Sequence, residues 1–207
     1  MYTMVVTRSD LAYAVGVVSR YISNLGWKHW EAVKHIFRYL RGTEDAQLTF
    51  GLANLTEVEG YTNVDYVGNS DNRKSTSGYI FTYNGGAISW RSKLQECMTL
   101  STIEAKYIAA SKAAKEAIWL HQLTADFSTT SQIDRPTLTI YCDSQRTIHL
   151  INIHVYHAKT KHIEVWYHHI RELVIEKKLE VRKIDIEVNI IVCLTKSLPN
   201  QRFRAPR

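Results

Sequence analysis

At 207 residues the chain is long enough for one well-buried domain and a smaller piece, and 45% apolar with 22% charged residues excludes wholesale disorder. No apolar run approaches the ~18 residues of a membrane span and no basic-then-apolar start resembles a signal peptide, so the expectation is a soluble intracellular chain. A formal charge of +6 allows a polyanionic partner without demanding one, and Cys97, Cys142 and Cys193, far apart with no C-x-x-C pair, suggest buried thiols in a reducing compartment.

Leu11, Ala14, Val15, Val18 and Ile22 recur at helical spacing and predict a helix over 9–22, with Ser9 or Asp10 as N-cap. A second helix is expected over 28–41, where Trp30, Val33, Phe37 and Leu40 form an apolar stripe between Gly26 and Gly42. A short strand over 47–50 follows. Two helices cannot bury both faces alone, so this region reads as the tail of something larger, bounded near 51–59. Strands are then predicted over 57–65, 78–83 and 87–93, with Asn84-Gly85-Gly86 as the hairpin turn between the last two. A long helix over 101–127 carries Tyr107, Ala110, Ala114, Ala117 and His121 on one face. A strand over 138–142, helices over 144–152 and 162–177, a strand over 179–184 and a short helix over 189–196 complete the order. Three antiparallel strands followed by right-handed crossovers to two more predict an α/β fold, a five-stranded mixed sheet flanked by helices and preceded by a short helical segment.

The strand over 138–142 runs straight into Asp143. A buried strand does not end in an ionised carboxylate without a partner or solvent. An Asp at the carboxyl end of an α/β strand is placed for a site in the crevice there. Trp27, Trp30, Trp119 and Trp166 read as core or interface anchors.

Several segments closely resemble the RNase H region of copia-type LTR retrotransposon Pol polyproteins: Asp71-Asn72-Arg73-Lys74-Ser75-Thr76-Ser77-Gly78-Tyr79, Gly86-Ala87-Ile88-Ser89-Trp90, Leu100-Ser101-Thr102-x-Glu104-Ala105, Tyr141-Cys142-Asp143-Ser144-Gln145, Thr160-Lys161-His162-Ile163-Glu164 and Leu194-Thr195-Lys196. The earlier Thr7-Arg8-x-Asp10, Ala12-Tyr13-Ala14-Val15 and His29-Trp30-x-Ala32-x-Lys34 resemble the end of the reverse transcriptase region. The match covers nearly the whole chain, and the order and spacing of the motifs carry it. It implies three parts: 1–52 as a remnant of thumb- or connection-like reverse transcriptase helices, 57–198 as an RNase H-like domain, and 199–207 as a basic tail. It also implies a nuclease that cuts the RNA of RNA–DNA hybrids with two Mg²⁺ ions, working beside the rest of a Pol polyprotein in the cytoplasm or a virus-like particle. No Tyr-x-Asp-Asp polymerase motif is present.

Mg²⁺ prefers hard oxygen ligands, and two close cations need clustered carboxylates to balance them. The resemblance places four such ligands, and three are substituted here. Asn63 replaces the Asp of strand 1, Lys106 the Glu of the long helix, and Val192 the Asp of the last helix. Asp143 is retained. Ser101-x-x-Glu104 is a capping box, which gives Glu104 a local duty at the helix start, and it lies about 200° from position 106 around the helix. Asp65 shares the strand face of Asn63. It is either a displaced second carboxylate near Asp143 or a strand-end Asp entering the polar turn at 68–70. A weak single-metal site on Asp143 and Asp65 is the most these residues allow.

Arg73, Lys74, Lys159, Lys161 and Arg171 are candidate nucleic-acid contacts, set against the alternative of a solvated surface interleaved with Glu164 and Glu172. The group His149, His154, His157, His162, His168 and His169 invites a zinc reading. It lacks a cysteine pair, and His162 and His168 stand six apart on different helix faces, so polar contacts and nucleic-acid-facing surface fit it better. Three functions follow: a degenerate, inactive RNase H-like domain; a weak Mg²⁺-dependent hybrid endonuclease using Asp143 and Asp65; and a non-catalytic scaffold that engages a partner through its N-terminal helices.

Overall fold

The computed structural model describes residues 2–51, 58–69, 71–127, 137–152 and 164–196. The chain opens with α1 (Tyr2–Val6), a 3₁₀ turn (Ser9–Leu11), α2 (Ala12–Ser19) and α3 (Trp27–Gly42). Strands β1 (Val58–Asp65), β2 (Thr76–Tyr83) and β3 (Gly86–Leu94) follow, then α4 (Thr102–Phe127), β4 (Leu138–Cys142), α5 (Gln145–Asn152), α6 (Glu164–Ile175), β5 (Leu179–Lys183) and a 3₁₀ turn (Ile190–Leu194).

The five strands form one sheet in the order β3-β2-β1-β4-β5. β1 pairs antiparallel with β2 and parallel with β4, and β4 runs parallel to β5. This is the mixed, helix-flanked sheet expected from the element order. The β2–β3 hairpin closes on Asn84 and Gly85, both at positive φ (49° and 81°), the backbone that a two-residue twisted hairpin needs.

Alternation along the strands sends two different sets of residues to the two sheet faces. Phe81, Leu138, Ile140 and Cys142 pack with Tyr107, Ala110, Ala113, Ala114 and Ala117 of α4 and with Ile170 and Leu173 of α6. The run of alanines lets α4 lie close on the sheet. Its first turn is capped as the sequence predicts: the Glu104 amide donates to Ser101 Oγ (3.1 Å), and Glu104 Oε2 accepts from the Leu100 amide (2.7 Å). Gly60 marks another close approach. A Cβ there would stand 2.4 Å from the ring of Phe81, which has no exposed surface.

On the opposite face, Ile80 clusters with Ala12, Ile191 and Leu194, and Trp90 packs at the margin. Trp90 Nε1 donates to the Met4 carbonyl at 2.7 Å. The N-terminal segment is therefore a lid on the second sheet face. A polar clamp ties it together: Arg8 donates to Asp10 and to Thr43 O and Oγ1, while Tyr39 of α3 donates to Asp10 Oδ2 at 2.7 Å.

Four expectations need correction. Residues 47–50 are not a strand, because a single backbone bond, Gly51 N to Asn84 O (2.9 Å), ties this stretch to the hairpin instead of a ladder. The helix over 9–22 splits at Leu11 into a 3₁₀ turn and α2. Trp27, Trp30 and Trp119 are solvent-exposed and anchor no core within this chain. Of the three free thiols, Cys142 is buried and Cys97 is exposed.

Candidate active site

β1 and β4 run in parallel register through Thr62 and Cys142, so Asn63 and Asp143 are the next residues on neighbouring strands. α4 crosses this end of the sheet and brings Lys106 to it. Lys106 Nζ donates to Asp143 Oδ2 at 2.8 Å, with 20% of the lysine side chain and 4% of the aspartate side chain exposed. An ammonium thus stands against the one retained carboxylate, where the resemblance implies a metal ion.

Asn63 is 2% exposed, and its Oδ1 accepts from the Val64 amide at 2.7 Å. Its Nδ2 and the second oxygen of Asp143, Oδ1, are both buried without a hydrogen-bond partner among the described residues. Val192, the fourth position that the resemblance implies, is half-buried in the last 3₁₀ turn, which packs on β1 and β2. Asn189 holds that turn: its Oδ1 caps the Ile191 amide (3.3 Å) and its Nδ2 donates to Thr62 O (3.4 Å). Asn63 lies on β1, Lys106 on α4, Asp143 just after β4 and Val192 in the last 3₁₀ turn.

This donor set does not fit a divalent metal. One free carboxylate oxygen, an amide already engaged through its oxygen, an alkyl group and an ammonium cannot balance one Mg²⁺, still less two. Among the described residues no group of three or more His, Cys, Asp or Glu side chains is placed to hold a metal ion.

Asp65 lies in a different electrostatic setting. Burial pushes its carboxyl up, and the Lys196 ammonium pulls it part of the way back. Its oxygen sits so close to Gly68 that a Cβ there would meet it at 1.9 Å. The same carboxylate, after burial, raises the Tyr13 phenol of α2. Lys196 was not singled out from the sequence, although it closes the Leu194-Thr195-Lys196 motif. Cys142, beside Asp143, is an inert thiol that burial pushes up to about 11.

Of the candidate nucleic-acid residues, Arg73 is exposed at positive φ in the β1–β2 loop, and Lys74 beside it is half-buried. Arg171 turns inward, its Nη2 donating to Leu150 O at 3.0 Å. Lys159, Lys161, His154, His157 and His162 lie outside the described residues. His149 is exposed on α5, and His169 is half-buried on α6.

Over 203 residues, 98% of its length, the chain is 51% identical to the retrovirus-related Pol polyprotein from transposon TNT 1-94 of Nicotiana tabacum. The chain is similar to copia-type retrotransposon Pol polyproteins. It is 33% identical over 198 residues to the Pol polyprotein from transposon RE2 of Arabidopsis thaliana. It spans 15% and 13% of the lengths of these two polyproteins. A 120-residue stretch is also 48% identical to secreted RxLR effector protein 161 of Plasmopara viticola and covers 84% of it. No protein-family model matches the chain. Among solved structures it is similar to LC11-RNase H1 in complex with an RNA/DNA hybrid (TM-score 0.44, 15% identity, 65% of this chain and 89% of that one). It is also similar to RNase H1 from Halobacterium salinarum (TM-score 0.42, 14% identity, 64% and 89%). The chain carries a five-stranded mixed sheet flanked by helices, and no helix among the described residues is long and apolar enough to cross a membrane.

Proposed function

We propose that this chain is a catalytically silent RNase H-like unit of a copia-type Pol polyprotein. Residues 1–52 would be the C-terminal helices of the reverse transcriptase region, 57–198 the RNase H-like domain and 199–207 a basic tail. The Lys106–Asp143 ion pair carries the reading. A lysine ammonium at the metal position neutralises Asp143 and repels a divalent cation, so neither water activation nor leaving-group stabilisation by metal is available. Asp65 does not rescue the site, because a carboxylate there still leaves the Lys106 ammonium bonded to Asp143. The ancestral activity, cleavage of RNA in RNA–DNA hybrids with Mg²⁺, would persist as fold and as weak hybrid contact through Arg73 and Lys74, in the cytoplasm or a virus-like particle.

The direct test is cleavage of a labelled RNA–DNA hybrid in Mg²⁺ or Mn²⁺. No cleavage above the protein-free control is expected. Specific cleavage that disappears in Asp143→Asn would overturn the proposal. The triple variant Asn63→Asp, Lys106→Glu, Val192→Asp restores the four-carboxylate set and is expected to regain metal-dependent cleavage. A folded triple variant without it would mean that these are not the ligand positions.

A further inference from the structure

α3 is poorly explained by the packing of this chain alone. None of its 16 residues is fully buried, and its sequence carries Lys28, Lys34, Arg38 and Arg41 against a single acid, Glu31, which pairs with Lys34. Its aliphatic side, Val33, Ile36 and Leu40, is half-buried, and the helix packs chiefly against α2. The other side is wet and aromatic: Trp27, Trp30 and Phe37 are 73%, 60% and 63% exposed.

At 100° per residue, Phe37, Trp30, Arg41, Lys34, Trp27 and Arg38 follow one another around an arc of roughly 100°. Rings and cations are interspersed within one stripe. A helix that lies in a membrane interface separates its apolar face from its basic one. Here the apolar face is already turned toward α2, and the outer face mixes the two kinds. A positive track with open ring faces suits a polyanion whose bases are free to stack, and a duplex keeps its base faces closed.

A separate contact, made from the aliphatic side of α3, ties the helix to the rest of the chain. The Tyr21 ring stacks on His29 of α3 at 4.3 Å, and Tyr21 Oη donates to Asp71 Oδ2 at 2.8 Å. This joins the start of α3 to the β1–β2 loop, where the Arg73 amide bonds Asn69 O (2.9 Å) and the Asn69 amide bonds Lys74 O (3.2 Å). The loop leaves β1 just after Asp65, at the sheet end that holds Asp143. From Trp27 to Arg41 the helix adds roughly 21 Å of track, the reach of a few nucleotides.

We propose that the outer face of α3 binds single-stranded nucleic acid, stacking bases on Trp27, Trp30 and Phe37 and contacting phosphates through Arg38 and Arg41. Neither Lys106 nor Asp143 takes part, so this binding stands or falls separately from the silent centre.

Fluorescence anisotropy of labelled 20-nucleotide oligo(dT) and oligo(U) with the full 207-residue chain tests it. The triple variant Trp27→Ala, Trp30→Ala, Phe37→Ala is expected to weaken binding about tenfold or more with the salt dependence unchanged. Arg38→Gln with Arg41→Gln is expected to flatten the slope of log K against log salt by about 1.4, roughly 0.7 per phosphate contact. A 20-base-pair duplex should compete about tenfold less well than the single strand. The replacements Trp27→Phe and Trp30→Phe keep a ring and should keep binding; a loss there as large as with alanine would assign the residues to packing and overturn the proposal. Unchanged oligonucleotide affinity in the alanine triple variant would do the same. So would equal competition by the duplex, alanine-sensitive binding to phosphatidylserine vesicles in place of oligonucleotide, or a dimer that the alanine variant dissociates and that binds no oligonucleotide.

Discussion

Lys106 places an ammonium against Asp143, where the resemblance implies a metal cation. Its side chain reaches Asp143 from the rim, and the aspartate is almost wholly enclosed. Removing one member of such a pair leaves a buried charge uncompensated, whereas removing both can be nearly neutral. Lys106→Met is therefore expected to destabilise the fold by roughly 2–4 kcal/mol, toward the low side of the buried-pair range because the lysine still meets solvent. The double variant with Asp143→Asn should recover at least half of that. Urea unfolding of the four members of the cycle measures both; additive losses would show that the two side chains do not depend on each other. That Asp143 ends a buried strand was readable in the sequence, because strand periodicity runs straight into it. The ion pair was not, because residues 106 and 143 meet only when α4 crosses the end of β1 and β4.

The Arg8–Asp10–Tyr39–Thr43 clamp decides how the N-terminal helices sit. Burial by itself would raise the Asp10 carboxyl, but hydrogen bonds from Arg8 and Tyr39 outweigh it and hold the group below its ordinary value. Burial and the bond to Asp10 in turn push the Tyr39 phenol up to about 12. A carboxylate favoured in the folded state contributes fully above its unfolded pKa, near 3.9, and that contribution is lost as pH falls through the lower folded value. Asp10→Asn should thus cost about 1.5–3 kcal/mol at neutral pH and progressively less below about pH 4. Unfolding midpoints of both chains over a pH series check this, and a pH-independent gap would count against the charged clamp. Among the elements, the long strands, the Asn84-Gly85 turn and the Ser101–Glu104 cap were legible because period, turn chemistry and capping act locally. The stretch over 47–50 misled because its apolar alternation serves one contact, Phe50 against Gly86, without a strand partner.

For the whole molecule, the sheet has one face under α4 and α6 and the other under the N-terminal segment. A chain starting at residue 53 would expose Ile80, Ile191, Leu194 and the flank of Trp90. It is expected to bind hydrophobic dyes and to melt more than ~4 °C below the full chain, or to self-associate on sedimentation. A monomeric truncated chain with an unchanged melting point would show the lid to be dispensable. Element order and the α/β class follow from the sequence alone, since periodicity and turn chemistry are properties of short segments. The tertiary structure alone decides that Lys106 closes on Asp143 and that α3 turns its aromatic and basic side to solvent. Each depends on which residues, dozens of positions apart, the packed sheet brings within bonding distance or leaves uncovered.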